Sequence, residues 1–125
     1  MKNLTENEVL NIRLSSIPKY IAVNSHKGIK VIEVNNILYL ESSGRYTFIY
    51  LSNDTSVTVC KNLGHYDKLF RDIDFLRVHN SFIINIAYLK TIVRDAGGQY
   101  CVLNENKIVP ISNRRFPKVK EYLYY

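Results

Sequence analysis

Three short polar segments interrupt a chain otherwise rich in apolar runs, and their residue types suit contact with a polyanion. The first is Tyr39-Leu40-Glu41-Ser42-Ser43-Gly44-Arg45-Tyr46. Small hydroxyls and backbone N–H groups beside a glycine approach a phosphate closely, and Arg45 adds charge. An ordinary hairpin loop has the same composition. The second is Phe75-Leu76-Arg77-Val78-His79-Asn80-Ser81-Phe82-Ile83-Ile84-Asn85, with Arg, His, Asn and Ser set between two apolar stretches. An asparagine amide pairs with an adenine edge in the major groove, while Arg77 and Ser81 suit phosphates. A plain turn containing an asparagine is the other reading. The third is Pro110-Ile111-Ser112-Asn113-Arg114-Arg115-Phe116. Ser112 can cap the closing helix, an arginine can grip guanine O6 and N7 with two bonds, and a helix N-terminus attracts phosphate. Solvated charge is the alternative, although a cation at a helix N-terminus opposes the dipole and so calls for another reason.

Catalytic constellations are missing from the sequence. His26, His65 and His79 form no HxxxH or HExxH pair, and neither Cys60 nor Cys101 stands at ligand spacing from a histidine or from the other. No GxSxG, GxxxxGK[ST] or GxGxxG occurs, and Gly97-Gly98 suits a hairpin turn. Glu33 and Glu41 carry no mark of an acid/base pair. These readings predict no enzyme, no catalytic residue, no metal and no cofactor. The two cysteines are too few for a disulfide framework and are expected as unpaired, packed thiols in a reducing cytoplasm.

The elements that position these segments read mostly as strands. Alternation and β-branched or aromatic enrichment predict strands at Lys19–Asn24, Ile29–Val34, Ile37–Leu40, Tyr46–Leu51 and Thr55–Val59. Further strands are predicted near Leu76–Val78, Phe82–Ile84, Tyr88–Val93, Tyr100–Leu103 and Lys107–Ile111. Turns are expected at Asn24–Gly28, Asn35-Asn36, Ser42–Gly44, Ser52–Asp54, Asp95–Gly98 and Asn104–Asn106. One helix starts from a cap at Asn62, with Leu63, Tyr66, Leu69 and Phe70 at helical spacing over about 62–71. A second, near 114–124, starts at about Arg114–Pro117, because a proline is tolerated only in a first turn.

The chain has 125 residues, 46% of them hydrophobic, which fits one folded domain with its own core. Its apolar runs are far too short for a membrane span, and its charged start does not read as a signal peptide. The charge is +6, and residues 107–120 hold five basic side chains and no acidic one. Such a basic end suits nucleic acid or an acidic protein partner. A β-domain for protein contacts therefore stands as the alternative to a DNA binder.

Together the three segments resemble the LytTR-type DNA-binding domain, the output domain of LytR/AlgR-type response regulators. The resemblance runs from about Lys27 to Tyr122. The middle segment looks like the family's F-x-R-x-H-[RN]-S-[FY]-[IV]-[IV]-N signature, and Ile108–Arg115 is similar to its strand-then-S-R segment. The resemblance implies a mainly β fold, with antiparallel strands in stacked small sheets and two short helices. It implies a DNA-binding domain at residues 27–125, preceded by an arm or linker at 1–26. It implies transcription regulation within a two-component system, with loops rather than a recognition helix entering successive major grooves. By position, Asn80 and Arg114 would reach bases, with Arg45 or Tyr46 making a third base approach. Arg77, Ser81, Ser42, Ser43, Ser112, Arg115 and Lys118 would hold phosphates. Relatives bind direct repeats, often as two copies, which implies double-stranded DNA as partner and a homodimer on it. Two departures stand out. The residues before the domain are too few for a receiver, which implies a free-standing regulator or an output fragment. Asn80 stands where many relatives have arginine, which implies a preference for adenine over guanine at that position.

Overall fold

A computed structural model describes residues 3–8, 18–25 and 27–125; of the expected arm, residues 1–2, 9–17 and 26 lie outside the described residues. Residues 6–8 are helical, and the Glu8 N–H donates to Thr5 Oγ1 at 3.1 Å. The chain divides into two compact units, Met1–Asn35 and Asn36–Tyr125.

In the first unit β1 (Tyr20–Ser25) pairs antiparallel with β2 (Gly28–Glu33). The strands are joined tightly, Ser25 pairing directly with Gly28, whose φ of 136° suits glycine. Ile21 and Val23 of β1 are buried and alternate with exposed neighbours, and Ile21 sits opposite buried Ile32.

The second unit carries the remaining elements. They are β3 (Ile37–Ser43), β4 (Tyr46–Leu51), β5 (Ser56–Val59), α1 (Leu63–Leu69), β6 (Phe75–His79), β7 (Phe82–Asn85), β8 (Leu89–Asp95), β9 (Gly98–Leu103), β10 (Ile108–Ile111) and α2 (Phe116–Tyr122). They build a five-stranded sheet in the order β5-β4-β3-β7-β6 and a three-stranded sheet in the order β10-β9-β8. Every strand pairing is antiparallel.

β7 explains the apolar half of the long signature. Ile83 and Ile84 point to opposite faces and both are buried, so this strand is covered on its two sides. Ile84 joins Val78, Cys101, Leu103, Val109, Ile111, Phe116 and Val119 in a core between β6/β7, β9/β10 and α2. On α1, Leu63 and Tyr66 are buried, and the helix lies beside β3, β6 and β7. Buried Asn85 closes the signature: its Nδ2 donates to the Ile37 carbonyl at 2.9 Å, and its Oδ1 accepts from the Ala87 N–H at 3.0 Å. The amide thereby ties the end of β7 to the start of β3 and leaves no buried polar atom of its own unpaired.

The expected helices are present but shorter at both ends. Asn62 caps the first, its Oδ1 accepting from the His65 N–H at 2.9 Å. Pro117 lies in the first turn of the second. Two expectations differ from the structure. Asn35-Asn36 is no hairpin turn, because Val34–Asn36 forms a 3-10 turn and β2 and β3 belong to different sheets. The chain also does not break at Ser42-Ser43: β3 runs through Ser43, which pairs with Tyr46, leaving only Gly44-Arg45 as the turn.

Candidate nucleic-acid interface

The three polar segments meet at one end of the five-stranded sheet. β3 and β7 are neighbours, so the β3–β4 and β6–β7 turns lie side by side, and the Ser42 N–H donates to the Ser81 carbonyl at 2.9 Å. The third segment joins through the Ser112 N–H, which donates to the Val78 carbonyl at 2.9 Å. Arg115 Nη2 then reaches Asn80 Oδ1 at 3.4 Å.

In the β3–β4 turn Gly44 has φ of 60°, a left-handed value that other residues adopt at a cost. That conformation pushes Arg45 out into solvent, with Tyr46 46% exposed beside it. Ser43 is exposed, and Ser42 is half-buried. Below them Thr47, which has no exposure, donates its hydroxyl to the Lys61 carbonyl at 2.7 Å and anchors β4 to the approach of α1.

The β6–β7 turn is braced by side chains. The Ser81 N–H donates to His79 Nδ1 at 3.0 Å, so the ring acts as acceptor through that nitrogen. The ring also packs edge-on against Phe82. Arg77 donates from Nε to the His79 carbonyl at 3.4 Å, from Nη2 to the Asn80 carbonyl, and from Nη1 to Asp67 Oδ2 on α1 at 3.3 Å. Asn80 itself is exposed and Ser81 half-buried.

In the third segment Ser112 Oγ accepts from the Arg115 N–H at 3.2 Å, a local turn that leads into α2. Arg114 and Lys118 are exposed, whereas Arg115 is half-buried with its Nε enclosed and unpaired. Burial, then the guanidiniums of Arg77 and Arg114, push the Arg115 pKa down, against the pull of Asp67. Adjacent like charges of this kind are relieved by an anion.

All eleven residues proposed from the sequence therefore sit on these three segments or the first turn of α2. Sequence reasoning misses the roles of His79 and Asp67. His79 is visible inside the signature, but its bond to Ser81 depends on the turn geometry. Asp67 carries no sequence signal, because only the docking of α1 brings it to Arg77. Both cysteines are unpaired, but only one is packed: Cys60, directly after β5, is exposed against the expectation, while Cys101 is fully buried in the core and its thiol is pushed up to about 12 by that burial. Among the described residues no helix is long and apolar enough to cross a membrane.

The second unit is thus a mainly β domain with its three polar segments linked at one sheet end. The model of the LytTr DNA-binding domain matches residues 27–124, and the chain belongs to that family. A solved LytTr DNA-binding domain from Bacillus cereus superposes with a TM-score of 0.76, covering 86% of this chain and 99% of that one at 20% identity. The sensory transduction protein LytT of Bacillus subtilis is 26% identical over 105 residues, which are 83% of this chain and 43% of that protein. The chain thus spans less than half the length of that relative. Membership makes residues 27–124 a DNA-binding domain.

Proposed function

We propose that the chain binds double-stranded DNA sequence-specifically, with its turns entering successive major grooves, and thereby regulates transcription in the cytoplasm. Residues 27–125 form the binding domain in this reading and residues 1–26 an arm or linker. Asn80 and Arg114 contact bases, and Arg45 or Tyr46 makes a third base approach. Ser42, Ser43, Ser81, Ser112 and Lys118 hold the backbone. Two copies occupy a direct repeat. Of the paired arginines Arg114 is the base reader, since it is exposed, whereas Arg115 is half-buried against the Asn80 amide and combines orientation of that amide with charge toward a phosphate.

The observation that carries this reading is the cross-linking of three polar turns at one sheet end through Ser42–Ser81, Ser112–Val78 and Arg115–Asn80. Base readers held on a braced scaffold lose little freedom on binding. Selection of sites from random duplexes, followed by titration of the winner against salt, tests it. A shared motif should emerge, with affinity falling steeply as salt rises. No enrichment at low salt refutes it.

A further inference from the structure

We propose that Asp67 and Arg77 are a positioning pair that holds the Asn80 turn in its base-reading form, with Arg77 acting through the turn rather than on a phosphate. This rests on the reading that Asn80 contacts a base. The position of Arg77 within the signature suggests a phosphate contact, but its guanidinium is already committed. Nε and Nη2 donate to the carbonyls of His79 and Asn80, and Nη1 donates to Asp67. Its side chain is only 21% exposed, less than half the value for Asp67. The pairing of β6 with β7 shifts register between Arg77 and His79, so the chain leaves the regular ladder just where these donors arrive. A planar fork satisfies diverging acceptors that a single ammonium cannot span.

Asp67 gives the stronger argument. A carboxylate bonded to Arg77 and within electrostatic reach of Arg115 weakens attraction to a polyanion, so it is a poor choice for affinity alone. It does fix the guanidinium from the helix side. Arg77 then fixes the two carbonyls that flank the Asn80 side chain, and Arg115 fixes the amide oxygen. Asp67 thus trades general affinity for a defined reader.

The test titrates the selected duplex, a random duplex, and the selected duplex altered at the base pair whose preference changes in Asn80→Arg. The proteins are wild type, Asp67→Ala, Arg77→Lys and Arg77→Ala. Asp67→Ala should bind random DNA as tightly as wild type or tighter, yet lose about tenfold in the selected-to-random ratio. Arg77→Lys should keep the salt slope and lose the ratio to a similar extent. In both, altering the Asn80 base pair should cost little, although it costs wild type about tenfold or more. An Asp67→Ala protein that binds both duplexes tighter by the same factor overturns the proposal. So does an Arg77→Ala protein whose salt slope drops by about one unit with the ratio intact and is restored by Arg77→Lys. A wild-type chain without sequence preference overturns the DNA-reading assignment and this proposal together; the two preceding outcomes overturn this one alone.

Discussion

The β6–β7 and β3–β4 turns lie side by side at the same sheet end, yet they are built in opposite ways. Around Asn80 four side-chain bonds converge, two donated by Arg77, one accepted by His79 Nδ1 and one donated by Arg115, and Arg77 is itself held by Asp67. Around Arg45 the chain is held by strand pairing and by the Ser42–Ser81 bond, with a glycine in the left-handed region at its tip. The braced turn rests on β7, which is buried on both faces. The other joins the interior strands β3 and β4 and leaves Arg45 and Tyr46 exposed at its tip. A rigid turn suits a side chain that must identify a base with two directed bonds. An open turn suits one that adjusts to whatever the neighbouring groove presents. In the proposed reading, the difference separates what specifies from what adapts.

The largest way to break this contrast is to remove the support of the braced turn. Ile84 has no exposure and sits in the core between the two sheets. Ile84→Ala should cost about 2–5 kcal/mol of stability in chemical denaturation. Base readout should be lost with the fold rather than separately.

Next in size is loss of a reader. Arg114→Ala should cost about 1–3 kcal/mol on a selected duplex and much less on random DNA, with the melting temperature unchanged, measured by direct titration. Equal losses on both duplexes would make Arg114 a backbone contact.

The open turn sharpens the comparison from the other side. A Cβ on Gly44 would meet no atom within 4 Å, so Gly44→Ala tests conformation and not space. With φ at 60°, it should lower stability by about 1 kcal/mol. If this turn adapts to its groove, affinity for the selected duplex should fall by no more than that amount. A much larger loss would mean that the turn is as fixed as its neighbour.

The smallest effect touches neither turn. Burial and an acceptor carboxylate raise Tyr50 (with Glu41) and Tyr122 (with Asp74) to about 12, and burial raises Cys101 likewise. The folded chain holds these protons at pH values where the unfolded chain releases them. Their stabilising contribution is therefore present below about pH 9 and is lost as pH rises towards 12. Denaturation midpoints should fall over that window.

Much of this contrast is legible in the sequence, and the part that is not has a physical reason. Tyr46–Leu51 alternates, and its burial alternates with it. Asn62 and Pro117 mark the helix starts because capping and the missing N–H act within one turn of chain. The three polar segments stand out because strands have no need of them. What local pattern cannot carry is pairing between distant segments. Nothing near Asn35-Asn36 says that the strands on either side join different sheets. Asn85 looks like part of a recognition motif, yet it bonds to Ile37, 48 residues away. Asp67 looks like any polar residue on a short helix until α1 docks beside β6 and brings it to Arg77.

The most direct test of the central claim is a parallel selection from random duplexes with the wild-type chain and with Asn80→Arg. The account predicts that both enrich one shared motif, differing at a single position in each repeat, where adenine gives way to guanine. A wild-type selection with no motif, or an Asn80→Arg selection whose motif is unchanged or altered throughout, would contradict it.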